Sequence, residues 1–149
     1  MAPKILLATL GAAVAFAPVA CAEPAPQNSG ERPVVRQVFD RPTNIPGKSL
    51  TSVTVSYPPG AKSEAHRHAK SAFIMAYVIS GAIRSQVDAE PARVYHAGET
   101  WHEAPGAHHT LSENASTTEP AELLAVFVLD TGDGPLTIDD TTHALLHEN

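Results

Sequence analysis

The stretch GAKSEAHRHAKSAFIMAYVISG, residues 60–81, decides how the rest of the chain is read. His66 and His68 stand one residue apart in it, in a chain with 8 histidines. Side chains on a β-strand alternate faces, so both imidazoles project from one face, with Arg67 opposite. Two imidazoles at that spacing can converge on one metal ion. The run from Ala72 to Ser80 follows, apolar at nearly every position, and reads as a strand buried on both faces until Gly81 ends it. Upstream, SLTSVTVSY (residues 49–57) alternates with period two, and Pro58-Pro59-Gly60 stops it.

Further out, the chain continues as short β-like runs separated by turn residues. VVRQVF (34–39) precedes the decisive stretch. IRSQVD and ARVYH flank Ala89-Glu90-Pro91, a hairpin turn by its residue types. ETWHE and HHTLSEN flank Ala104-Pro105-Gly106, a second tight turn. If that turn folds the strand back, a histidine just after it faces the same interior as the first pair. ELLAVFVLD (122–130) is another apolar strand. Only DDTTHALLHEN at the C-terminus has a helical pattern, with Asp140 or Thr141 as cap and Leu145-Leu146 to dock it. About eight short strands predict an all-β sandwich or barrel rather than alternating β-α units.

These two segments resemble the paired motifs of the cupin superfamily. Gly60, five residues, His66-x-His68 and an apolar strand to Gly81 look like its first motif; Gly98, five residues, Ala-Pro-Gly, two residues and His109 look like its second. The similarity covers residues 49 to about 130 and implies a small antiparallel jelly-roll β-barrel. It implies that His66, His68 and His109 are metal ligands and that Gly60, Gly81, Gly98 and Gly106 are turn glycines. Asn114 follows one place later than in the family pattern. The implied cofactor is a divalent metal ion, iron or manganese first, with zinc, nickel and copper as the other candidates.

The departure lies in the acid. The first motif usually carries a glutamate between its histidines and its closing glycine; here that place falls on Ala72, Phe73 or, counted back from Gly81, Ile74. A replacement has to come from elsewhere. Glu64 shares strand parity with His66 and His68 but follows a Pro-Pro-Gly turn. Glu103 precedes the turn that presents His109, and a carboxylate buried there needs a cation or donor beside it. Gln86 is a neutral third candidate, and His102 a candidate hydrogen-bond donor in the pocket. The expectation is that Glu103 faces the pocket and meets the metal or a ligand histidine. His108, of opposite parity to His109, is expected at the surface or behind the ligands, and His143 and His147 outside the chemistry. Ile74, Ala76, Val78, Leu124, Val126 and Val128 are expected to wall the cavity.

Composition limits the remaining roles. The 149 residues carry a formal charge of −6, and no Lys/Arg cluster stands out, so nucleic acid is not an expected partner. Residues 1–22 carry one charge, Lys4, then an apolar run ending Ala20-Cys21-Ala22, which reads as a secretory signal peptide. The domain plan is a signal peptide (1–22), a polar lead-in (23–33) and one barrel (34–149). Cleavage after Ala22 or lipid anchoring through Cys21 both place the protein outside the cytoplasm, secreted or periplasmic. The expected partners are a small-molecule ligand and a second copy of the chain in a homodimer. Two functions fit. One is a metal-dependent oxygenase, or a lyase or isomerase, acting on a small organic molecule. The other is a barrel that binds a metal or small ligand without turnover.

Overall fold

The computed structural model describes residues 32–142. The signal peptide, Cys21, His143, His147 and the Leu145-Leu146 pair fall outside that range. Two five-stranded antiparallel sheets pack face to face. The first runs in the order β1 (Val34–Pro42), β2 (Lys48–Tyr57), β9 (Ala121–Asp130), β4 (Phe73–Ser80), β7 (Thr100–Glu103). The second runs β10 (Thr137–Asp139), β3 (His66–His68), β8 (His108–Asn114), β5 (Ala82–Val87), β6 (Arg93–His96). This is the jelly-roll barrel expected, with ten strands instead of about eight. A helical piece starts at Asp140.

The core lies between the sheets. Val53, Val55, Ile74, Ala76, Val78, Leu123 and Phe127 point into it from the first sheet and Ile83 from the second. Ile74, Ile83 and Val78 are the largest fully buried side chains, so truncation at any of them leaves a cavity costing about 2–5 kcal/mol for Ile→Ala. The four expected turn glycines have φ of 71° (Gly60), 69° (Gly81), 89° (Gly98) and 72° (Gly106). Gly81 is under a second constraint, because an added Cβ would lie 2.6 Å from the Pro120 carbonyl oxygen.

Three expectations need correction. The Pro-Gly turn after Glu103 does not make a hairpin. It carries the chain from the first sheet to the second, since β7 pairs with β4 whereas β8 pairs with β3 and β5. The apolar strand β4 is not buried on both faces. Ile74, Ala76 and Val78 are buried, but Phe73, Met75, Tyr77 and Ile79 are 37–46% exposed on the outside. In β9 the inward residues are Leu123, Ala125, Phe127 and Leu129, so Leu124, Val126 and Val128 belong to the outer face instead of the cavity wall.

Candidate metal centre

The site grows from strand parity. His66 and His68 are buried on the inner face of β3, and His109 on β8 is the cross-strand partner of His66. One ligand atom from each ring lies within 4.8 Å of the others. Each ring is held from behind. Nδ1–H of His66 donates to the Glu64 carbonyl at 2.7 Å, and Nδ1–H of His68 to the Leu136 carbonyl at 3.1 Å. A carbonyl only accepts, so both rings carry their proton on Nδ1 and, when neutral, present a bare Nε2 to the interior. Ser85 Oγ sits 2.8 Å from Nε2 of His109, leaving Nδ1 as the nitrogen that faces the first sheet.

The carboxylate comes from across the barrel. Glu103 on β7 is 3% exposed and points at the histidines. Its Oε1 accepts from the indole N–H of Trp101 at 3.0 Å and lies 3.5 Å from Nδ1 of His109. Its Oε2 lies 2.9 Å from Nε2 of His68. Glu103 is the direct cross-strand partner of Ile74. Ile74 is the position reached by counting back from Gly81 to the acid of the first motif, so the carboxylate stands on the neighbouring strand, opposite the place it has vacated.

A second departure is resolved by backbone geometry. Between Val87↔His109 and Gln86↔Leu111 the register shifts, and Thr110 is the extra residue of a β-bulge. Without the bulge, parity would send Asn114 outward. With it, His109, Ser112 and Asn114 all face inward and are buried. Asn114 spends its side chain on structure. Nδ2 donates to the carbonyls of Tyr57, Pro58 and Glu119, and Oδ1 accepts from Ser116 N–H.

Burial sets the protonation states. It pushes His109 down to about 4, against the opposing pull of Glu103 and with help from His66 and His68. It also lowers His66, opposed by the bond to the Glu64 carbonyl. Burial works to raise Glu103, but the close rings of His68 and His109 and the Trp101 bond outweigh it and hold the carboxyl below its ordinary value. Near neutral pH the centre therefore presents neutral imidazole at His66 and His109 beside an anionic carboxylate.

That donor set fits a divalent cation. His68 Nε2 and Glu103 Oε2 are buried, close together, and lack hydrogen-bond partners. Two buried acceptors 2.9 Å apart need a cation between them, a proton or a metal ion, and only a metal ion engages the other imidazoles as well.

The other candidates separate. Glu64 is exposed and lines the cavity's rim; its carbonyl, rather than its carboxylate, touches His66. Gln86 pairs with Leu111 on the outer side of the second sheet and does not line the cavity. His102 is exposed on the outer side of the first sheet, its ring stacked on Phe73 with centroids 5.8 Å apart. His108 contacts Asp140 at 2.8 Å, away from the other histidines. The sequence reading missed Trp101, Ser85 and the Leu136 carbonyl. Trp101 was within reach, being two residues from Glu103 on the same strand face. Nothing in residue type marks the Leu136 carbonyl or Ser85.

The cavity in front of these groups has a volume of about 310 Å³. Val53, Val55, Ala76, Leu123, Ala125 and Phe127 wall it, and Arg32, Lys62, Glu64 and Asp139 stand among its exposed lining residues. Tyr57 lines it too, its hydroxyl 2.7 Å from Ser112 Oγ and 2.9 Å from Ser63 Oγ. Burial raises the Tyr57 phenol above its ordinary value, so it stays protonated.

A double-sheet barrel enclosing three histidines and a glutamate that could hold a metal ion points to one class of β-barrel. The family model for the cupin domain matches residues 53–127, about half the chain, and the protein belongs to the cupin family. No curated protein sequence matches the chain. Among solved structures, it resembles an uncharacterised double-stranded β-helix protein from Klebsiella pneumoniae at 22% identity and TM-score 0.57, over 71% of this chain and 84% of that one. The cupin domain of Schizosaccharomyces pombe Cnp3 aligns at 17% identity and TM-score 0.54, over 71% and 67%. An oxalate oxidase in complex with the substrate analogue glycolate aligns at 20% identity and TM-score 0.57, over 84% and 63%. At these identities the likeness is one of fold.

Proposed function

We propose that the protein is an exported metalloenzyme. In this reading His66, His68, His109 and Glu103 hold a divalent iron or manganese ion, and a small, largely apolar organic molecule is transformed in the cavity beside it. The observation that carries this reading is the buried Glu103 carboxylate, unpartnered at Oε2, set among three imidazoles at an apolar cavity. Imidazole with carboxylate suits iron and manganese, whereas zinc, nickel and copper compete mainly through imidazole. A bound ion of this kind supplies Lewis acidity and, for iron or manganese, oxygen or redox chemistry.

The chain's own residues do the rest. Trp101 fixes one oxygen of Glu103 and turns the other toward the histidines. The Glu64 and Leu136 carbonyls hold His66 and His68 in their tautomers and Ser85 orients the His109 ring, the usual task of groups behind metal ligands. The apolar wall excludes water from the substrate and strengthens the electrostatics of the centre. Tyr57, protonated and fixed by Ser63 and Ser112, offers a hydroxyl to a polar group of the ligand. Glu103 is the buried carboxylate through which a proton could leave the substrate. The fold itself hosts many reactions, so the choice between oxygenation and lyase or isomerase chemistry follows from the site.

The test is elemental analysis of the protein expressed from Glu23, paired with oxygen uptake and product analysis over small phenolic, thiol and carboxylic substrates. Stoichiometric iron or manganese with turnover that is lost in Glu103→Gln supports the enzyme. Tight metal without turnover on any of them makes the protein a binding barrel. Export is tested separately: the native chain should begin at Glu23 or at a lipidated Cys21, and a native chain beginning at Met1 in the cytosol contradicts it.

A further inference from the structure

The outer face of the first sheet is apolar where a lone barrel meets water. Three rows cross it at successive pairing positions. Leu50, Val128 and Phe73 form one row; Ser52, Val126, Met75 and His102 the next; Thr54, Leu124, Tyr77 and Thr100 the third. Ile79 extends the patch along β4. No Asp, Glu, Lys or Arg stands in these rows. Charge begins at the rim, with Arg36 and Arg41 on β1 and Glu122 and Asp130 at the two ends of β9. We propose that this face is the contact between two copies of the chain, joined about a two-fold axis with Phe73, Met75, Tyr77 and Val126 at its centre.

Three observations favour a second copy. The face is large enough: strands about 4.8 Å apart and about 3.3 Å per residue give roughly 20 Å by 20 Å in projection. With side-chain relief that approaches the ~800 Å² per partner of a stable interface, and it matches or exceeds the apolar patches monomers usually tolerate. Its composition is that of an interface core, with Phe, Tyr and Met at the middle and charge held to the edge. The described residues leave it open: Phe73, Met75, Tyr77 and Ile79 stay exposed on it, whereas β10 pairs in the opposite sheet and Arg32 and Pro33 line the cavity.

The proposal stands apart from the metal centre and can fail without it. Protein expressed from Glu23, which removes the apolar leader as an alternative cover, should have twice the chain mass by light scattering at micromolar concentration. Met75→Lys and Tyr77→Glu should each weaken the dimer about 30-fold or more, the scale of a central interface residue. Arg84→Glu, on the outer face of the second sheet, should leave the mass unchanged. Circular dichroism and metal content show whether each variant has folded. If either outer-face variant fails to fold, His102→Cys serves instead: the chain from Glu23 has no cysteine, so a short bis-maleimide should join two copies through the thiol introduced there. A monomeric parent protein, a dimer indifferent to both outer-face charges, or the absence of cross-linking in the His102→Cys variant overturns the proposal.

Discussion

The two sheets divide the molecule's chemistry between them. The second supplies every nitrogen of the centre, from β3 and β8, and its outer face is polar. There Arg84 pairs with Glu113 at 3.3 Å and His108 with Asp140 at 2.8 Å. The first supplies the carboxylate, from β7, and most of the apolar cavity wall, and its outer face is apolar as well. A sheet with one wet face alternates polar and apolar residues; a sheet with two apolar faces does not. The centre is thus assembled between sheets, and its donors meet only when the barrel is closed.

This division can be broken most severely from the nitrogen side. His66→Ala, His68→Ala and His109→Ala should each lower metal affinity about 100-fold or more, beyond the 10–100-fold typical of groups behind the ligands. Titration of metal-free protein with iron(II) or manganese(II) reads this directly, and full occupancy in a His66/His109 double variant would place the site elsewhere. From the carboxylate side, Glu103→Gln keeps the shape and removes the charge; affinity should fall about 10-fold or more, and Glu64→Gln should matter less. Trp101→Phe keeps Glu103 but frees Oε1, and the loss should be smaller again.

Acid probes the same centre without substitution. His109 is held at about 4 in the folded chain, below the 6.5 of an unperturbed histidine, so the unfolded chain takes up a proton first as pH falls. Stability is therefore fully present above about pH 6.5 and is lost as pH drops toward 4, by on the order of 3 kcal/mol from this group, with His66 acting in the same direction. Denaturant titration of metal-free protein between about pH 7 and pH 4 measures it, and a flat profile would contradict the buried, neutral state of these rings. The smallest effect belongs to the residues that parity sent outward. Gln86→Ala and His102→Ala should leave metal affinity within about twofold, and a larger loss would mean the inner and outer faces have been misassigned.

Sequence reading reached the barrel because its signals are local. Alternation in β2, the glycines at positive φ, and the His-x-His pair all act within a few residues. It reached Glu103 from its place just before the turn that leads to His109 and from the cost of burying an unpartnered carboxylate, although that turn crosses between sheets and makes no hairpin. It failed where parity carries no information. β4 and β9 are apolar at consecutive positions, so neither strand says which set faces inward, and Leu124, Val126 and Val128 were placed in the cavity in error. It also failed where the structure depends on distant pairing. The Thr110 bulge that turns Asn114 inward shows in the chain only as an odd spacing. β10 is three residues long, too short for periodicity, yet its neighbour Leu136 fixes the tautomer of His68. The Pro-Gly turn looked like a hairpin because turn chemistry does not reveal which sheet the next strand joins.

The central claim is that one carboxylate from the first sheet completes a centre built by three imidazoles of the second. A crystal structure of metal-loaded protein, with the ion located by its anomalous scattering, tests this most directly. The account predicts a single ion bonded to His66, His68, His109 and Glu103 at about 2.0–2.3 Å. An ion held by the three histidines with Glu103 turned away, or an ion bound elsewhere, would contradict it.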